Sequence, residues 1–101
     1  MTINKKKDGG SLVIALEGRL DTTTSPELEK VIKEETEDVN DIRFDMEGLE
    51  YISSAGLRVL LAAQKLMNKK GGMVITGCND DILEIFDMTG FTDILTIRKC
   101  F

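Results

Sequence analysis

The chain has 101 residues, a formal net charge of −5, two cysteines, and neither histidine nor tryptophan. This length is typical of one domain, which we expect to span residues 1–101. The lack of histidine excludes Ser-His-Asp and Cys-His catalysis and histidine-based metal sites, and two cysteines are too few for a structural zinc site. The acidic balance argues against nucleic-acid binding.

The distribution of apolar residues indicates the compartment. No apolar run approaches the ~20 residues that span a bilayer, and no apolar segment follows the lysines at positions 5–7, as a signal peptide would require. We therefore expect a cytoplasmic protein with no direct membrane insertion. A disulfide between Cys78 and Cys100 is not expected there, and we interpret Cys78 as a small buried hydrophobic residue.

The chain begins with a predicted β-hairpin. Thr2–Lys7 is its edge strand, and Asp8-Gly9-Gly10 is typical of a tight turn. The unbroken apolar run at 12–16 predicts that the second strand, Ser11–Glu17, is covered on both faces. Gly18 is expected to end that strand.

The first helix has two alternative starts. Ser25 can cap it with Pro26 at the first helical position, or Thr24 and Glu27 can form a capping box. The helix is expected to turn a narrow apolar stripe towards a core. That stripe consists of Leu28, Val31, Ile32 and Val39.

The later elements follow from alternation, helical spacing and turn residues. They are a strand at Asp41–Met46, a loop over 47–52, a helix from Ser53 or Ser54 to about Lys69, a buried strand at Met73–Thr76, a helix capped by Asn79 or Asp80 and ended by Thr89-Gly90, and a last strand at Thr96–Cys100. Strands alternating with helices imply right-handed parallel crossovers. We therefore predict a single-domain α/β fold with helices packed on a mixed, mostly parallel sheet of four or five strands. Binding sites collect where the carboxyl ends of such strands meet.

The Ser53-Ser54 junction opens the second helix. A serine here can accept a hydrogen bond from a free N–H of the first turn, and an enzyme can reach a partly exposed hydroxyl. A phosphate would meet the positive helix end and add about −1.5 to −2 charge at pH 7. Ala55 and Gly56 are small, so a partner can approach the backbone closely. The residues alone leave open whether the serine is a switch or an ordinary helix cap.

The stretch Asp45-x-x-x-Leu49-x-Tyr51-Ile52-Ser53-Ser54-Ala55-Gly56-Leu57 resembles the signature of STAS domains, the family of bacterial anti-sigma factor antagonists. Flanking segments resemble the same family at 18–28, 71–75 and 85–91. The resemblance covers nearly the whole chain and implies a STAS-like fold.

The resemblance implies a binding protein rather than an enzyme, with no cofactor and no metal. The unphosphorylated form is expected to bind an anti-sigma factor, often itself a serine kinase, and so release the sigma factor. Phosphorylation at Ser54 would break that complex, and a serine phosphatase would reverse it. Many family members carry Asp where this chain has Ser53, so Ser53 is a second candidate for the phosphorylated residue. The free protein is expected to be a monomer.

The resemblance also implies which residues serve the interface. Those expected to bind the partner are Asp21, Thr22, Ser53, Ser54, Ala55, Gly56 and Arg58, and Asp45 is expected to support the phosphosite loop. For Asp21 an Asx-type turn is an equal alternative, and Arg58 can be an ordinary solvated side chain. An alternative function is a constitutive interaction subunit of a membrane transporter, such as a lipid-transport ATPase.

Overall fold

The computed structural model describes residues 1–98. Its elements are β1 (Thr2–Asp8), β2 (Ser11–Leu20), α1 (Ser25–Glu35), β3 (Asp41–Ile52), α2 (Ser54–Met67), β4 (Met73–Thr76), α3 (Asp80–Met88), a 3₁₀ turn (Phe91–Asp93) and β5 (Ile97–Arg98). The end of the predicted last strand and the thiol of Cys100 lie outside the described residues, and so does any pairing with Cys78.

One five-stranded sheet organises the chain. Its strand order is β1-β2-β3-β4-β5. β1 is antiparallel to β2, and every other neighbouring pair is parallel. Because each parallel connection passes through a helix, the carboxyl ends of β2 and β3 lie side by side. This arrangement confirms the predicted mixed, mostly parallel sheet.

Burial alternates along β2, so one face of the sheet carries the core. Leu12, Ile14 and Leu16 are fully buried, whereas Val13 and Ala15 are only half-buried. The prediction that this strand is covered on both faces is therefore wrong. Buried residues of all three helices join the same core as these leucines and isoleucine. On the partly open face, Val13 is a β-branched residue of the kind that strands favour.

β3 is twice as long as predicted, because it continues through the segment 47–52 that was expected to be a loop. β2 likewise continues past Gly18 to Leu20. The register between the two strands shifts twice, between Ala15 and Glu17 and between Gly18 and Arg19 of β2. Each shift is a β-bulge that places an extra residue on β3. Bulges break the two-residue alternation, which is why the sequence pattern hid the second half of this strand.

The start of each helix agrees with one of the predicted alternatives, but at α1 the predicted capping bond is absent. Ser53 caps α2 and Asn79 caps α3 through their side-chain oxygens. At α1 the N-cap is Thr24, which makes no side-chain cap bond, and Ser25 is already helical. The position of Thr24 agrees with the capping-box alternative. Neither predicted side-chain cap forms, because these hydroxyls bond to the preceding turn: Thr24 Oγ1 donates to Arg19 O at 2.8 Å, and Ser25 Oγ donates to Asp21 O at 2.6 Å.

Ion pairs hold the edge strand β1 against the end of α1. Lys5 Nζ lies 2.8 Å from Glu35 Oε1, and Lys7 Nζ lies 2.8 Å from Asp38 Oδ1. The hydrogen bond from Lys5 lowers the pKa of Glu35, and that from Lys7 lowers the pKa of Asp38. Conversely, the hydrogen bond to Asp38 raises the pKa of Lys7. These ion pairs therefore stabilise the fold in the pH range in which Glu35 and Asp38 are ionised and the lysines are still protonated.

We predict that a Lys5→Met/Lys7→Met variant is less stable than the wild-type protein at pH 7, by the modest amount usual for exposed pairs. Because the carboxylate pKa values are lowered in the folded state, this stabilisation is present above their unfolded values and is lost as the pH falls through the folded ones. Urea unfolding at pH 7 and pH 3 should show the difference shrinking at the lower pH. Lys6→Met is the control, since Lys6 lies on the opposite face and forms no ion pair within residues 1–98. A difference that persists at pH 3 would contradict the electrostatic explanation.

The first turn of α2 packs directly on the ends of β2 and β3, and Gly56 permits this contact. A Cβ atom at Gly56 would lie 2.8 Å from Leu20 Cγ and 2.9 Å from Ile52 Cγ1. Both side chains are buried in the core. We predict that Gly56→Val lowers the free energy of unfolding by about 1–3 kcal/mol through overpacking. Ala62→Val, at an exposed position of the same helix, should cost only about 0.5 kcal/mol. If thermal or urea unfolding showed equal losses of stability for the two variants, the low helix propensity of valine, and not the close approach at Gly56, would explain the loss.

Candidate functional site

The β3–α2 junction is tied to the end of the neighbouring strand. Ser53 N donates to Leu20 O at 2.8 Å, continuing the ladder in which Leu20 pairs with Ile52. The Ser53 backbone is extended, with φ −99° and ψ 175°. Its hydroxyl oxygen accepts from Gly56 N at 3.4 Å, and its carbonyl accepts from Leu57 N at 2.9 Å. The backbone and hydroxyl of Ser53 therefore both take part in hydrogen bonds that join the end of β3 to the first turn of α2.

Ser54 occupies a different environment from Ser53. It is the first residue of α2 and is exposed, whereas Ser53 is half-buried. Within residues 1–98 its hydroxyl makes no hydrogen bond. An enzyme that approaches this end of the sheet therefore meets an unengaged hydroxyl at Ser54 and a bonded one at Ser53.

The local field at Ser54 favours negative charge. The amino end of an α-helix carries a partial positive charge, and the first turn of α2 contains no acidic residue. Arg58, one turn further along the helix, is exposed. A negatively charged group placed on Ser54 would thus meet a favourable field from its own helix.

Asp21 shapes the β2–α1 connection beside this junction. Its carboxylate accepts from Thr24 N at 3.1 Å and from Thr23 N at 3.0 Å. These bonds, the Thr24 one above all, hold the pKa of Asp21 below its ordinary value. This is the Asx-type turn that the sequence left as one of two alternatives. Its carboxylate is thereby engaged with the backbone, whereas the neighbouring Thr22 side chain is exposed.

A shallow groove of about 240 Å³ lies between α1 and α2. It is lined by Thr22, Ser25, Pro26, Glu29, Ala55, Arg58, Val59 and Ala62. The groove unites three of the predicted partner-binding residues, Thr22, Ala55 and Arg58, next to the serine junction. Gly56 is buried and lies against Leu20 and Ile52; its expected part in partner binding stays a prediction.

Within residues 1–98, neither Asp45 nor Cys78 forms a hydrogen bond with Ser53 or Ser54. Asp45 Oδ1 accepts from Glu47 N at 3.0 Å and so supports the first bulge of β3; its role in supporting the phosphosite loop stays a prediction. Cys78 is half-buried, and burial raises the pKa of its thiol to about 11. The thiol is therefore protonated at neutral pH, which suits the interpretation as a small apolar residue.

Sequence reasoning missed a pair of side chains at the tips of β2 and β3. The guanidinium carbon of Arg19 lies 4.3 Å from the ring centroid of Tyr51, and both residues are exposed. They face each other across the ladder, since Arg19 pairs with Tyr51. An exposed tyrosine just before the serine motif was the available signal. The pairing itself depends on two bulges that no sequence pattern shows.

Residues 1–98 contain no candidate for a membrane-spanning helix and no candidate group of metal-ligating side chains. No helix within residues 1–98 combines the length and apolar character needed to cross a bilayer. Within the same residues, no group of three or more acidic or cysteine side chains is placed to hold a metal ion.

Comparison with known proteins identifies the family. The STAS domain model matches residues 2–100. The anti-sigma-B factor antagonist of Staphylococcus aureus is 32% identical over 84 residues, which cover 81% of this chain and 78% of that protein.

Two solved structures establish the likeness of fold. A crystal structure of an anti-sigma factor antagonist from Mycobacterium paratuberculosis has a TM-score of 0.86 at 23% identity, covering 95% of this chain and 83% of that one. The Bacillus cell fate determinant SpoIIAA, in its phosphorylated form, has a TM-score of 0.76 at 17% identity, covering 97% and 92%. These findings confirm the resemblance seen in the serine motif: the chain belongs to the STAS domain family, among the anti-sigma factor antagonists.

Proposed function

We propose that this protein is a phosphorylation-controlled antagonist of an anti-sigma factor of the serine-kinase type. The unphosphorylated form binds the anti-sigma factor and frees its sigma factor. The kinase activity of the partner phosphorylates Ser54, which releases the complex, and a serine phosphatase restores binding. The chain itself acts as a binding protein and not as an enzyme. The observation that carries the proposal is the exposed, unengaged Ser54 hydroxyl at the amino end of α2.

The hydroxyls of Ser53 and Ser54 differ in their hydrogen bonding. Ser53 uses its hydroxyl oxygen to cap α2, so a phosphate there would remove the cap that holds the first turn. The Ser54 hydroxyl makes no hydrogen bond within residues 1–98, so a phosphate on it leaves the Ser53 cap in place. The geometry therefore favours Ser54 over Ser53 as the phosphate acceptor.

The phosphate works through the interface rather than through the fold. The groove beside Ser54 is lined by small and apolar groups such as Ala55 and Val59, against which a partner can pack closely. Arg58 is the one cation among the residues that line the groove, so a phosphate of about −1.5 to −2 charge that a partner encloses there is left without full compensation and is disfavoured. About 3–4 kcal/mol would weaken affinity ~100- to 1,000-fold, enough to act as a switch.

A similar fold is known in both states of modification, which supports the proposal. SpoIIAA has been solved in an unphosphorylated form, with a TM-score of 0.73 to this chain, and in a phosphorylated form. At 15% and 17% identity these structures speak for the fold alone. They are consistent with a phosphate that the fold accommodates.

We predict that Ser54→Ala takes up no phosphate from the purified serine-kinase anti-sigma factor of the source organism and stays bound to it in the presence of ATP. Intact-mass measurement and calorimetric titration before and after incubation with ATP test both points. Ser53→Ala is the matched control: it should lose about 1 kcal/mol of stability with its cap but still gain one phosphate and dissociate.

Two results would contradict this scheme. Undiminished phosphate incorporation in Ser54→Ala would move the modification elsewhere. Failure of the wild-type protein to bind any such kinase, together with its co-purification with a membrane transport ATPase, would favour the constitutive-subunit alternative instead.

A further inference from the structure

We propose that Arg19 and Tyr51 form a second anchor for the anti-sigma factor, one that receives a carboxylate side chain of that partner. The inference rests on the proposed function and extends its interface from the helix side of the serine junction to the tips of β2 and β3.

The anchor is continuous with the serine junction. Arg19 and Tyr51 are paired across the ladder, and the next pair, Leu20 and Ile52, leads directly to the Ser53 N–H bond on Leu20 O. Because side chains alternate along a strand, the buried Leu20 and Ile52 point into the core while Arg19 and Tyr51 point away from it. Tyr51 thus lies in the last two residues of β3, three positions before Ser54, the first residue of α2.

The two side chains are exposed yet already ordered by one another. Tyr51 is 38% exposed, and its ring is covered on one side by the Arg19 guanidinium at 4.3 Å. Such a cation–π contact favours this arrangement of the two groups over others. Tyrosine and arginine are also the residue types that most often dominate binding energy at interfaces. Prior ordering lowers the entropy lost on binding.

The charge of Arg19 indicates what it binds. Within residues 1–98 no carboxylate lies within 4.0 Å of its guanidinium, whereas Lys5, Lys7 and Lys33 have acidic partners. Asp21 is close enough to feel the charge of Arg19, but its oxygens accept N–H bonds from Thr23 and Thr24. The guanidinium donors of Arg19 thus remain available, and a carboxylate is the group that matches them.

The test uses three variants and the purified serine-kinase anti-sigma factor that binds the wild-type protein. We expect Tyr51→Ala and Arg19→Gln each to raise the dissociation constant about 10-fold or more, with the double variant little weaker than either single one because the pair acts together. Leu66→Ala is the matched control, since Leu66 is 39% exposed but lies in the last turn of α2; it should change affinity less than about 2-fold. Binding by Arg19→Gln should also depend less on salt than binding by the wild-type protein.

The outcomes separate this inference from the proposed function. If the wild-type protein binds the kinase and loses it on Ser54 phosphorylation, while Arg19→Gln and Tyr51→Ala bind within about 2-fold of wild type, the anchor is wrong and the switch stands. A Leu66→Ala loss equal to theirs would likewise overturn the anchor. Failure of the wild-type protein to bind would reject the proposed function. Far-ultraviolet circular dichroism and urea unfolding confirm that each variant is folded, and Arg19→Gln carries the test should Tyr51→Ala unfold.

Discussion

The site depends on one backbone hydrogen bond, from Ser53 N to Leu20 O at 2.8 Å. This bond keeps β3 attached to β2 until the residue at which the chain turns into α2. Because Gly56 lacks a side chain, the first helical turn then settles directly on Leu20 and Ile52. The helix start is thus held from below by the core and from the side by the sheet. Ser54 is left on the outer surface, at a fixed position relative to the turn at Asp21 and the groove between α1 and α2.

A rigid frame of this kind suits a switch that acts on a partner and not on its own fold. The positive end of α2 and the nearby Arg58 can accommodate added negative charge, so a phosphate need not disturb the packing beneath it. Residues 27–50 contain ten acids and three bases. Several of these acids, such as Glu35 and Asp38, are paired with lysines of β1 at the far end of α1. These ion pairs stabilise the end of the molecule at which β1 meets the end of α1.

The errors of prediction have a common physical origin in local hydrogen bonding that competes with regular patterns. The spacing of buried residues Met46, Leu49 and Ile52 is three rather than two, because bulges insert extra residues into β3. Thr24 and Ser25 are residue types that often cap helices, yet their hydroxyls donate to the carbonyls of Arg19 and Asp21 instead. In both places a short-range alternative displaced the arrangement that the pattern alone favours. Where no such competitor exists, as at Asn79, the predicted cap forms.

The sequence by itself determined the succession of strands and helices, the mixed sheet, the family motif and the two serines at the start of α2, because these depend on periodicity, turn residues and short-range spacing. Only the tertiary structure decided which serine is engaged and which is free, that Gly56 is buried, and that Arg19 stacks on Tyr51. These properties depend on the register between β2 and β3, where each bulge changes which side chains become neighbours. Register arises from contacts between residues some thirty positions apart, and no local pattern in the chain encodes them.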